Sequence, residues 1–129
     1  MKLLRLLPLL LLCVGCHSPS QWTQYPGAHK INHCAEYASW CAADLTRQGT
    51  EAYYIEYAWF YQGNRGRHAV VLFQQKNHWF VVDNVDPWPQ HVEGKTPADK
   101  VRSAFPYVTT VDLVRVIDSE GFTIKQIKP

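Results

Sequence analysis

The stretch RHAVVLFQQKNHWFVVDNV, residues 67–85, predicts two β-strands joined by a tight turn. Its two apolar runs are rich in β-branched and aromatic residues, and the turn residues Lys76 and Asn77 separate them. If the strands turn symmetrically about this pair, the numbers of facing residues add up to 153. His68 and Asp83 are then diagonal neighbours on one face of the sheet, about 7–8 Å apart at Cα.

The register of this turn decides whether His68 and Asp83 can act together. A turn moved back by one residue in each strand pairs them directly, with a sum of 151. An even sum places them on opposite faces, because side chains alternate along a strand.

Further strands are predicted on both sides of the hairpin. AYYIEYAWFY (52–61) precedes it, with turn residues at 62–66, and TTVDLVRVID (109–118) and FTIKQIK (122–128) form a final hairpin around SEG. A short helix is predicted in TPADKVRSAF (96–105), with Pro97 in its first turn. Together with a main helix at 32–49, the order is one helix and then about five strands, which indicates an α+β fold.

The main helix is predicted in NHCAEYASWCAADLTRQG, residues 32–49. Asn32 can cap its first turn, and Gly49 is a natural stop. The spacing i, i+4, i+7 and i+11 gives one apolar face, which contains Cys34, Ala38, Cys41 and Leu45. Both thiols are therefore expected to point toward the body of the protein.

The two cysteines of this helix are expected to differ in role. Seven residues of helix separate their Cα atoms by about 10 Å, too far for a disulfide. Cys34 lies in the first turn, where unpaired N–H groups and the positive end of the helix dipole favour a thiolate. Cys41 lies two turns further along and is expected to fill the core.

The segment MKLLRLLPLLLLCVGC, residues 1–16, is typical of an export signal. Its apolar run is about half of the ~20 residues that span a bilayer. The ending LCVGC resembles the lipobox of bacterial lipoproteins, although Cys13 stands where leucine is usual. This resemblance implies cleavage of residues 1–15, lipidation of Cys16, and a lipid anchor on the periplasmic side of the cell envelope, at the outer membrane. Plain secretion with cleavage nearby is the alternative.

The rest of the chain is expected to form one small domain at 31–129, after a polar tether at 16–30. The 13 Lys and Arg residues include Lys2 and Arg5, so 11 remain beside 11 Asp and Glu once the signal is removed. This near-neutral balance gives no basic patch, and we expect no nucleic-acid partner. We expect a monomer.

Three short motifs resemble one enzyme superfamily. CAEYA at a helix start, HAVV at the start of a strand and WFVVDN at the end of the next are similar to the transglutaminase-like superfamily of papain-fold thiol enzymes. The ending DN and the export signal resemble most the bacterial transglutaminase-like cysteine proteinases, which are periplasmic peptidases. The resemblance covers about residues 31–86 and implies a papain-like core in which the helix packs on the sheet.

The resemblance assigns a role to each residue of a Cys34, His68 and Asp83 triad. Cys34 is the nucleophile, His68 is the general base and then acid, and Asp83 orients the imidazole. The reaction is acyl transfer on an amide, through a thioester, with a protein or a peptidoglycan peptide as the substrate. No cofactor or metal is implied, and hydrolysis and transamidation both remain open.

The oxyanion hole is only partly assigned. Position 28, where a papain-like glutamine would stand, is an alanine. The backbone N–H of Cys34 is the natural first donor. Trp40, Trp59 or Gln24 could supply the second.

Each candidate residue also has a structural interpretation. Cys34 could be a core cysteine and His68 a satisfied core histidine, while Asp83 could end a strand or form an Asx turn with Asn84. A metal site at His29, His33 and Cys34 is an alternative that no motif supports. The string YYIEYAWFY (53–61) could pack in a strand or expose its rings as a substrate or glycan platform. A non-catalytic protein of the same fold that binds a protein partner, in an immunity or adaptor role, is therefore the second hypothesis.

Overall fold

Six antiparallel strands form one sheet at the centre of the computed structural model, which describes residues 20–129. The strands are β1 (Ala52–Tyr61), β2 (Asn64–Gln75), β3 (His78–Val82), β4 (Gln90–Val92), β5 (Val108–Ile117) and β6 (Thr123–Ile127). Their order across the sheet is β4-β3-β2-β1-β5-β6. Three helices accompany them, namely α1 (Ser20–Thr23), α2 (Cys34–Arg47) and α3 (Pro97–Ala104).

The two faces of the sheet bury two separate apolar clusters. We call the first the α2 face, where Cys41 and Leu45 of the main helix pack on Val71 and Phe73. The second is the α3 face, where Val101 packs with a cluster that includes Val70, Leu72, Val81 and Val92. Because successive residues of β2 alternate between these faces, the run AVVLF is apolar throughout, as expected for a strand covered on both sides.

The predicted α+β class is confirmed, but the sheet has six strands where about five were expected. The additional strand is β4, which has three residues and pairs with β3 through Phe80 and His91. Its sequence QHV lies between proline-rich and glycine-containing segments, so it is too short to give a periodic signal.

The β2–β3 hairpin has the predicted register. Val71 faces Val82 and Leu72 faces Val81, which gives the sum of 153. Lys76 and Asn77 both have positive φ, at 51° and 63°, as a two-residue primed turn requires.

The β1–β2 connection is shorter than predicted. Only Gln62 and Gly63 form the turn, both with positive φ, and β2 already begins at Asn64. The two strands therefore extend as a ribbon through residues 64–66, which the sequence had assigned to a turn.

The helix ends agree with the sequence in part. Helix α2 ends at Arg47, and Gly49, with φ of 81°, donates its N–H to the carbonyl of Thr46. The expected cap at Asn32 is wrong, because the N-cap is His33 and it makes no side-chain capping bond. Helix α3 begins at Pro97 as predicted.

Residues 20–30 are not the free tether expected from their composition. Trp22 is buried on the α2 face, where its ring stacks on Phe73 at 5.2 Å. The hydroxyl of Tyr25 donates to Asp44 at 2.6 Å, and that of Tyr37 donates to the Trp22 carbonyl at 2.9 Å. These aromatic contacts, which no local pattern reveals, attach the segment to α2.

The remainder of the predicted tether, the signal segment 1–15 and the lipidation site Cys16 lie outside the described residues. Within residues 20–129, no helix combines the length and the apolar character needed to cross a bilayer.

Candidate active site

His68 and Asp83 form a direct ion pair at the open end of the β2–β3 hairpin. His68 Nε2 lies 2.8 Å from Asp83 Oδ1, and the two side chains are 17% and 20% exposed. The register that pairs Val71 with Val82 places them diagonally, because Asp83 follows the last residue of β3. The sequence predicted this neighbourhood, and the structure brings the two side chains into contact.

The Asp83 carboxylate is also held by the backbone. The N–H of Val85 donates to the same Oδ1 at 2.9 Å, which is the geometry of an Asx turn. The structural interpretation of Asp83 as an Asx-turn residue and its contact with His68 therefore hold together, because the same side-chain oxygen makes both bonds. Two bonds to one oxygen fix the carboxylate, and the carboxylate in turn orients the imidazole.

Cys34 is the first residue of α2 and is half-buried against the α2-face cluster. The first helical bond runs from the N–H of Tyr37 to the carbonyl of His33. The N–H groups of Cys34, Ala35 and Glu36 therefore lack intrahelical acceptors, as at the start of any helix. The thiol lies at the positive end of the helix dipole, where an anion is favoured.

The segment before Cys34 is tied directly to the residue after Asp83. The side-chain amide of Asn84 donates to the backbone carbonyls of Gly27 and Lys30, at 3.2 and 2.8 Å. The backbone carbonyl of Asn84 accepts from the N–H of His29 at 2.7 Å. These three bonds bring the start of α2 to the end of β3. The triad residues thus come from two segments that are clamped together.

The phenol of Tyr57 packs beside the His68–Asp83 pair. Its ring packs edge-on against the His68 imidazole, with the ring centres 5.7 Å apart. Burial raises the pKa of its hydroxyl, and the charges of Tyr107, Asp83 and Cys34 raise it further. The hydroxyl therefore keeps its proton and is neutral beside the imidazole.

Cys34 makes no hydrogen bond with His68 in the described part of the chain. His68 follows the alternation of Val70 and Leu72 on the α3 face, whereas Cys34 packs on the α2 face. Strand β3 ends at Val82, so no strand of the described part of the chain covers this edge of β2 beside His68. The thiol and the imidazole could therefore meet only around that open edge of the sheet. Catalytic hydrogen bonds are often long when no substrate is bound.

A cleft of about 380 Å³ lies beside the His68–Asp83 pair. Its other lining residues are predominantly aromatic: Tyr57, Trp59, Tyr61, Val85 and Tyr107. The rings of Tyr61 and Tyr107 are 6.0 Å apart, and Trp59 meets Tyr107 edge-on at 6.5 Å. The aromatic strand predicted from the sequence therefore both packs in the core and exposes rings, with Tyr61 56% exposed.

The candidates for the second oxyanion donor lie in different places. Trp40 is exposed in a separate groove with Arg47 and Ser119. Trp59 lines the cleft, with its indole directly over Gly66, and Gln24 is exposed after α1. The structure assigns the donor to none of the three.

Cys41 and the remaining histidines stand apart from the site. Cys41 is fully buried in the α2-face cluster, unbonded as predicted, and burial raises the pKa of its thiol. His29, His33 and His78 are exposed. No cluster of three metal-ligating side chains occurs within residues 20–129, so the alternative site at His29, His33 and Cys34 has no support there.

Two residues of this region were not singled out by the sequence. Asn84 was considered only as part of a turn, yet it is 1% exposed and clamps the segment 27–30. Tyr107 comes from the segment before β5, far from the motifs in sequence. An asparagine directly after a charged strand end was the available signal for the first, while the second depends on tertiary contacts alone.

Comparison of the chain with protein families, with curated proteins and with solved structures finds no match. The resemblance to transglutaminase-like enzymes therefore stays a prediction.

Proposed function

We propose that this protein is a thiol hydrolase of transglutaminase-like type, a cysteine peptidase or amidase in which Cys34, His68 and Asp83 form the triad. The observation that carries the proposal is the 2.8 Å contact between His68 Nε2 and Asp83 Oδ1, in the register that the motif spacing requires. The contact leaves Nδ1 as the imidazole nitrogen that can serve the thiol.

In the proposed reaction, His68 takes the proton of Cys34 and the thiolate attacks the carbonyl carbon of an amide. The N–H of Cys34 stabilises the oxyanion, since it has no intrahelical acceptor. The carbon–nitrogen bond then breaks, and the imidazolium proton goes to the leaving nitrogen. Water attacks the resulting thioester with His68 as base, which releases the acid and restores the thiol. Release to an amine would instead give transamidation.

The proposed location is the periplasmic side of the bacterial envelope, through a lipid on Cys16. The LCVGC motif supports this part of the proposal. Mass spectrometry of the mature N-terminus tests it, because a diacylglyceryl cysteine at position 16 and an unmodified secreted N-terminus differ clearly in mass.

The test of the chemistry is alkylation of the native protein with iodoacetamide between pH 5 and 9, with each thiol mapped by mass spectrometry. Cys41 is an internal control, since it is buried and should react only after unfolding. We expect Cys34 to react faster than a free thiol at the same pH, because the helix dipole favours the thiolate and, in the proposed reaction, His68 takes the proton. His68→Ala should slow that reaction about 10- to 100-fold at pH 6, and Asp83→Asn should slow it less.

A second candidate function is non-catalytic binding of a protein partner. The observation in its favour is that Cys34 and His68 make no hydrogen bond and pack on different faces of the sheet. This function is favoured if Cys34 is alkylated at the rate of a free thiol and His68→Ala leaves that rate unchanged. The same result would refute the hydrolase.

A further inference from the structure

The aromatic cleft lies on one particular side of the proposed triad. His68 and Asp83 line it, but Cys34 does not. The cleft therefore lies beside the imidazole and not beside the thiol. A substrate that reaches both groups must place one part near the thiol and another part over the imidazole and into the cleft.

The proposed chemistry determines which part enters. The leaving nitrogen of the amide receives its proton from His68, so that nitrogen must lie over the imidazole when the carbon–nitrogen bond breaks. The group attached to this nitrogen then continues into the cleft. Resting on the proposed function, we infer that the cleft is the subsite for the residue on the amine side of the scissile amide, and that it selects a large apolar or aromatic side chain.

The lining explains the selectivity. The ring of Tyr57 stacks on that of Phe105, with the ring centres 5.8 Å apart. The ring of Tyr107 has three aromatic neighbours with ring centres within 6.5 Å, namely Phe105, Tyr61 and Trp59. The wall is therefore a continuous aromatic cluster. Among residues 20–129, no lysine or arginine lines the cleft, and the one carboxylate there already pairs with His68. Binding of an apolar ring is favoured there by the burial of apolar surface and by ring contacts. Binding of an acidic side chain is disfavoured, because the carboxylate is desolvated without a cation to pair with.

The size of the cleft fits this assignment. A volume of about 380 Å³ lies at the lower end of the about 300–1,000 Å³ that small-molecule sites occupy. One large side chain with its backbone can fill such a space, while a long polymer would have to extend beyond it.

The experiment uses N-chloroacetyl amino-acid amides, in which the amino acid occupies the amine side of the reactive group. Cys34 attacks the chloromethyl carbon, a sulfur–carbon bond forms and chloride leaves. Second-order rates of Cys34 alkylation are measured for the phenylalanine, alanine and glutamate amides, for N-chloroacetylglucosamine and for chloroacetamide. Each rate is divided by that of the same probe with glutathione, which removes intrinsic reactivity.

We expect the phenylalanine probe to react about 10- to 150-fold faster than the alanine probe, as burial of a large apolar side chain predicts. Tyr107→Ala should lower this ratio about 2- to 13-fold through the lost ring contact. Tyr61→Ala should act in the same direction. Both side chains are partly exposed, at 38% and 56%, so these variants should fold. The matched control is Phe122→Ala, which removes a 67% exposed ring outside the cleft and should leave the ratio unchanged.

The outcomes separate this inference from the proposed function. If chloroacetamide labels Cys34 in a His68-dependent manner but the phenylalanine and alanine rates are equal, the subsite is refuted and the hydrolase stands. A glutamate or glucosamine probe that matches the phenylalanine probe also refutes the aromatic selectivity. If His68 has no influence on Cys34 with any probe, both proposals fall.

Discussion

Replacement of Asn84 by alanine should destabilise the protein and loosen the segment that leads into Cys34. Asn84 is 1% exposed, and its amide donates to the carbonyls of Gly27 and Lys30. A net hydrogen bond contributes about 0.5–1.5 kcal/mol, so the loss of two amounts to about 1–3 kcal/mol. The side-chain Oδ1 is buried with no hydrogen-bond partner among the described residues, and its removal offsets part of this cost. We therefore expect a loss of about 1–2 kcal/mol.

Asn84→Asp sharpens the test, because it places a carboxylate against the same two carbonyls. Burial without a donor should raise the pKa of the introduced acid above that of the unfolded chain, about 3.9. Stability is then retained below pH 4 and lost as the pH rises through the folded-state pKa. At pH 7 this variant should be less stable than Asn84→Ala.

Urea unfolding followed by circular dichroism measures both effects, with an unchanged slope as the criterion that only stability has changed. Asn64→Ala is the control, since Asn64 is exposed and its side chain makes no hydrogen bond within the described residues. The His29 amide, which donates to the Asn84 carbonyl, should exchange faster in Asn84→Ala. Equal free energies of unfolding for Asn84→Ala and Asn64→Ala would show that the clamp contributes nothing.

Three further predictions concern other parts of the domain. Burial and a hydrogen bond to Glu51 raise the pKa of Tyr53 from 10.0 to about 12. The free energy of unfolding should therefore fall between about pH 10 and pH 12, where only the unfolded state loses the proton. Tyr53→Phe should make that decline shallower in urea titrations. Gly66→Ala places a methyl group 2.8 Å from the Trp59 ring, so indole fluorescence should shift and the phenylalanine-to-alanine rate ratio should drop, while an unchanged spectrum would contradict the packing. Thr96→Ala removes the bond from the Asp99 N–H that caps α3 and should cost about 1 kcal/mol in urea unfolding, whereas Thr123→Ala should cost less.

Local periodicity and turn chemistry predicted much of the fold. The Lys76–Asn77 turn set the register of the central hairpin, and that register placed His68 beside Asp83. Gly49 and Pro97 marked helix ends because their backbone requirements are local. These features depend on a few adjacent residues, so the sequence shows them directly.

Features that depend on distant contacts were not predicted. The tether composition of residues 20–30 concealed Trp22 and Tyr25, whose partners Phe73 and Asp44 are remote in sequence. The short strand β4 has no period of its own and exists through its pairing with β3. Similarly, the sequence predicted which residues form the candidate site but not that Cys34 and His68 pack on different faces of the sheet.

The burial of Trp22 determines how far from a membrane the proposed lipid anchor at Cys16 would let the domain stand. With the domain beginning at Trp22, five residues separate it from a lipid-bearing Cys16, and the six residue-to-residue steps span at most about 20 Å. A free tether of residues 16–30 would allow more than twice that height. The proposed anchor would therefore hold the point at which the chain enters the domain close to the bilayer, and would deny the domain the height that a free tether would allow.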